Sequence, residues 1–104
     1  MNSFLAILLC AALLSTSTEK ERRLRLEYDD IAADAEALVQ LVSTMEANLH
    51  QQGLALHPDI ASARNHLVSA MDSAAEALEN QDWNQLRKRL DRARGWVERL
   101  RRKL

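Results

Sequence analysis

Arg89, Arg92, Trp96, Arg99 and Lys103 are separated by intervals of 3, 4, 3 and 4 residues. On a helix that spacing puts all of them on one stripe. Cations around an indole make a contact surface. The ring offers apolar area, Arg92 and Arg99 can lie against it, and the set suits an acidic partner, an anionic membrane surface or nucleic acid. Arg101 and Arg102 thicken its cationic end, so the candidate partner-binding surface is Arg89, Arg92, Trp96, Arg99, Arg101, Arg102 and Lys103. Gly95 stands beside the indole. Glycine inside a helix costs about 1 kcal/mol relative to alanine, which suits a backbone kept bare for close approach. The competing expectation is internal pairing with Glu27, Asp30 and Asp34, with Trp96 at the edge of the core. The end of the stripe toward Lys103 faces fewer acids, since Glu46 stands there among Ser43, Thr44, Asn48 and His50.

Other chemistry is sparse. The chain has no Gly-rich phosphate loop, no paired cysteines and no nucleophile elbow. His50 and His57 flank Gly53, and His66 lies further on. A metal site ordinarily takes three or four ligands at set spacing, so these histidines read as exposed or turn-capping. Asp29, Asp30 and Asp34 form an acidic helix face, which is usually solvated or paired with bases on a neighbour. No catalytic, cofactor-binding or metal-binding residue is assigned, and the chain is not expected to be an enzyme.

These side chains need helices to position them. Apolar residues recur at Leu24, Tyr28, Ile31, Ala35, Leu38, Val42, Met45 and Leu49, in strict alternation of four and three. Thr16 or Thr18 with a glutamate three residues on predicts a capped start, and Gly53 predicts the stop. Leu54 is then expected to fold back on the last turn. A second helix begins at Pro58, with a stripe of Ile60, Ala63, Leu67, Met71, Ala74 and Leu78. A third is capped by Asp82 and carries Trp83, Leu86, Leu90, Ala93, Val97, Leu100 and Leu104. Short connections force neighbouring helices antiparallel. The fold class is therefore all-α, an up-down-up antiparallel three-helix bundle with a long first helix (about 19–52, 58–79 and 82–104), preceded by a short hydrophobic N-terminal helix. Its first helix is expected to project about ten residues, Glu19 to Tyr28, beyond the other two.

The opening, MNSFLAILLCAALLSTSTEKERR, carries an unbroken apolar run from Phe4 to Leu14. A spanning helix needs about 20 such residues, so the run fits a signal peptide better than a permanent anchor. Ser15 and Ser17 allow a cut after residue 17. The bases Lys20, Arg22, Arg23 and Arg25 follow the run rather than precede it, so a retained anchor would leave the bulk of the chain on the cytoplasmic side. The chain thus divides into residues 1–17, signal peptide or short membrane anchor, and 18–104, the bundle. Cys10 lies in the run and has no partner for an internal disulfide.

The formal net charge of −1 conceals an asymmetry. Residues 26–82 hold eleven acids against Arg64, for −10, whereas residues 87–104 hold nine bases against Asp91 and Glu98, for +7. Residues 73–100, SAAEALENQDWNQLRKRLDRARGWVERL, resemble a tetratricopeptide-type helical hairpin. They lack its Gly and Tyr positions and any 34-residue repeat, so no role is transferred from it. The expected function is a non-catalytic helical bundle of the cell envelope, periplasmic, secreted or membrane-anchored, that binds another protein. Self-association is also allowed, because Val39 and Leu41 widen the first seam. The alternative is a cytoplasmic module binding anionic lipid or nucleic acid through the third helix. The acidic body disfavours nucleic acid, because it repels phosphate.

Overall fold

A computed structural model describes residues 19–104 with their side chains and residues 2–18 as helical backbone. The expected leader or anchor, residues 1–17, lies outside the described side chains. Three helices, α1 (Asn2–Gln51), α2 (Pro58–Glu79) and α3 (Trp83–Lys103), pack against one another in an up-down-up bundle. Among the described residues there is no strand. One boundary differs from expectation. The backbone of α1 is continuous, so neither Thr16 nor Thr18 begins a separate helix.

The heptad seams become the core, except at the end of the third, where Leu104 is exposed. Leu24, Ile31, Ala35, Leu38 and Val42 of α1 meet Ala63, Leu67 and Ala74 of α2 and Leu86, Leu90, Ala93, Val97 and Leu100 of α3. Two further alanines, Ala70 and Ala77, are also buried. Small residues let helix axes approach closely. The contact between α2 and α3 is the most extensive of the three, and that between α1 and α2 the least. Alanine on α2 therefore draws that helix toward α3 and leaves its boundary with α1 open.

The expected ten-residue projection is corrected at this end of the bundle. Leu24 is 5% exposed and Tyr28 packs on the core. Arg25 places its guanidinium 5.5 Å from the centre of the Trp83 ring. The turn between α2 and α3 thus meets α1 at Leu24 and Arg25, so Leu24 to Tyr28 belongs to the bundle, while Glu19, Lys20, Arg22 and Arg23 before it are exposed.

Both turns use the same closure. Gly53, at φ +73°, donates its N–H to the His50 carbonyl at 3.0 Å, and Leu54 donates to the Leu49 carbonyl at 2.8 Å. This crossed pair is a Schellman motif, which needs a left-handed residue at its centre. Leu54 is 55% exposed and Leu56 is 8% exposed, so Leu56 and not Leu54 folds back. Two more residues of reach bring the side chain over the core. At the end of α2 the bonds recur, from Gln81 to Leu78 (3.1 Å) and Asp82 to Ala77 (2.9 Å). Here the left-handed residue, at φ +56°, is Gln81. A Cβ in that conformation costs about 1–2 kcal/mol. Gln81→Gly is accordingly expected to stabilise the bundle by roughly 1 kcal/mol, and Gly53→Ala to destabilise it by a similar amount. Paired urea titrations read both, and equal midpoints for the two variants would contradict the turn geometry.

Helix starts follow the chemistry of exposed amides. Asp82 Oδ1 accepts from the Gln85 N–H at 3.3 Å and caps α3. His57 Nδ1 accepts from the Asp59 N–H at 3.1 Å, ahead of Pro58 in the first turn of α2.

Candidate functional site

The stripe predicted on α3 lies along the edge it shares with α2, not beside α1. Its two ends differ in how much of their charge is already used. Arg89 donates from Nη1 to the Ser73 carbonyl of α2 at 2.8 Å in a partly buried contact. That guanidinium fastens the hairpin. Trp96 is half-buried, with its ring stacked on His66 of α2 at 4.4 Å between centroids and 9° between planes. The Arg99 guanidinium lies 4.8 Å from the same ring. A shallow depression of about 450 Å³ opens here, lined by His66, Asp91, Arg92, Gly95, Trp96 and Arg99.

The glycine in that depression has no internal explanation. A Cβ built at Gly95 meets nothing within 4 Å, so no neighbouring side chain or helix in the bundle requires the position to be bare. Arg92 and Arg99 are exposed beside it, and Arg102 and Lys103 continue the exposed cationic face. Arg101, Arg102 and Lys103 also occupy the last turn of α3, where cations offset the negative end of the helix dipole.

Internal pairing with α1 occurs through different bases from those expected. Arg87 Nη1 sits 3.0 Å from Glu27 Oε2, and Arg101 Nη2 lies 3.9 Å from Asp34 Oδ2. Arg87 and Arg101 lie two heptads apart on the flank of α3 opposite the Trp96 stripe, whereas Arg94 between them sits 3.9 Å from Asp91 of its own helix. The two-heptad spacing is the signal for the α1-facing side. Of the predicted surface, then, Arg92, Trp96 and Arg99 come together around the depression. Arg102 and Lys103 adjoin them, Arg89 is bonded to α2, and Arg101 turns toward α1. Such exposed pairs contribute about 0–1 kcal/mol each.

A second feature has no counterpart in the sequence pattern. Between α1 and α2 runs an apolar groove of about 280 Å³, floored by Ala32, Val39, Val68, Met71 and Ala75 with Tyr28 at one end. Past its other end, Arg64 reaches Glu46 with its two terminal nitrogens at 3.2 and 3.5 Å. Periodicity marks the faces of single helices, and this groove is built from residues of two.

Among the described residues no three His, Cys, Asp or Glu side chains group as a metal site, and no helix is long and apolar enough to cross a membrane. No described polar or charged side chain is buried. The chain matches no family model, no curated protein and no solved structure, so the arrangement of its own residues carries the functional argument.

Proposed function

We propose that this chain is a small, non-catalytic helical-bundle protein, exported or membrane-tethered in the cell envelope, that acts by binding another protein. The observation that carries this reading is the depression at the edge of α2 and α3. There Gly95 is bare with nothing in the bundle to fill the space, next to an indole held by His66 and Arg99. A half-buried aromatic beside arginine is the composition of an interface anchor, since such residues bring large contact area at small entropic cost. Arg92, Arg99, Arg102 and Lys103 give the surrounding rim a positive charge, which favours an acidic segment of the partner. The envelope location rests on the apolar run Phe4–Leu14.

Two measurements test the reading. The intact mass of the native protein is expected to match a chain cut after Ser17 in an exported fraction, or the full chain in membranes. A full-length protein in the cytoplasmic fraction would overturn the location. Titration with anionic vesicles and with single-stranded nucleic acid separates the alternative of an anionic-lipid or nucleic-acid module. Phosphate contacts release counterions, so attachment through Arg99 to Lys103 alone is expected to be lost by physiological salt. Partner binding at the apolar Trp96 face is expected to change little over the same range; a collapse of that binding would favour the alternative, and retention at high salt would exclude it.

A further inference from the structure

We infer that the groove between α1 and α2 is a docking site for a cationic amphipathic helix of a partner protein, separate from the α3 face. The floor is apolar and includes the half-exposed Val68, 41% accessible, with Val39, Met71 and the small Ala32 and Ala75 around it. Alanines admit a third helix backbone close to the two that form the groove. From Tyr28 to Gln40 the groove runs about 18 Å, or roughly three helical turns. An occupant of that length presents apolar residues at i, i+4 and i+7 to the floor.

The rims specify the charge of this occupant. Glu36 and Asp72 line the groove from opposite sides. Asp29 lies seven residues before Glu36 and Glu79 seven after Asp72, so each rim repeats its carboxylate along the same helix face. Among the described residues none of these four has a cation within 4 Å, whereas Glu27, Asp34 and Glu46 all do. The basic side chain on this boundary, Arg64, is already bonded to Glu46. Carboxylates without a neighbouring cation on both sides of an apolar surface favour an occupant that brings bases to them. Lysines or arginines flanking an apolar helix stripe meet both demands. A second copy of this chain does not, because the apolar stripe of its basic helix is buried in its own core. The uncharged run Phe4–Leu14 of a second copy lacks the bases.

This surface is independent of the α3 depression, so either can fail without the other. The test uses the full chain and two synthetic helices of about 18 residues, one built of leucine and lysine and one of leucine and glutamate. Calorimetry is expected to show one-to-one binding of the Leu/Lys peptide and at least about tenfold weaker binding of the Leu/Glu peptide. Val68→Asp changes an exposed side chain, so circular dichroism should show an unaltered bundle while affinity for the Leu/Lys peptide drops at least about tenfold. Glu36→Lys combined with Asp72→Lys is expected to invert the preference between the peptides. Absence of binding would overturn the proposal. So would Leu/Lys binding indifferent to Val68→Asp, which would place that peptide elsewhere on the acidic body. A wild-type dimer that Val68→Asp dissociates would also overturn it, by making the occupant a second copy.

Discussion

Leu90→Ala is expected to lower the stability of the bundle by about 3 kcal/mol, within the range for a leucine truncated in a closed core. Leu90 is 0% exposed near the middle of α3. Leu67, Leu86 and Leu100 are equally buried around the same core, so little can move to fill the space left behind. The loss combines the transfer free energy of the removed carbons with the cost of the remaining cavity. A domain of this size has about 4–13 kcal/mol in total, so the variant gives up a quarter or more of its stability. In thermal melts that corresponds to a fall of roughly 12–24 °C. The cleaner measurement is urea unfolding, where the midpoint should drop at unchanged slope, because the area exposed on unfolding hardly changes. Leu41→Ala is the control. Leu41 is 50% exposed on α1, and its truncation should stay within about 0.5 kcal/mol. Similar losses for the two leucines would mean that the core is not closed around Leu90.

That contrast also shows what the sequence made legible. The alternation of three and four from Leu24 to Leu49 identified the buried face of α1, because a helix brings those positions to one side whatever its neighbours are. The same logic undervalued Ala70 and Ala77, which contribute little apolar area but set how near α2 comes to α3. The groove is lined by residues of both α1 and α2, so no single stripe marks it. Arg89 is expected on the free surface for a related reason. Its residue type and period match those of Arg92 and Arg99, and only the position of the Ser73 carbonyl separates them. At the first turn, Gly53 announced the left-handed residue, whereas the path of the loop decided that Leu56, not Leu54, would be covered.

Trp96→Ala is expected to reduce affinity for the proposed partner of the α3 face by about 30-fold or more, equivalent to roughly 2 kcal/mol, the level of an aromatic interface anchor. The cost to the fold should be smaller, about 1 kcal/mol. Trp96 is half-buried, and the variant loses its stacking on His66 and its contact with Arg99 while the core of Leu86, Leu90, Val97 and Leu100 stays filled. Circular dichroism should therefore show intact helices in a chain that no longer holds its partner. A loss of binding from a tryptophan variant alone would leave open a general loosening of α3, and Gly95→Ala closes that route. A methyl group at Gly95 meets no atom of the bundle within 4 Å. Alanine is the better helix former, so this variant should be more stable than the parent by about 0.5–1 kcal/mol. A partner backbone lying over Gly95 would nonetheless meet that methyl group, and affinity should fall while stability rises. Opposite signs in the two readouts can only come from a contact outside the chain. If Gly95→Ala stabilised the bundle and bound its partner as well as the parent does, the depression beside Trp96 would not be the contact surface.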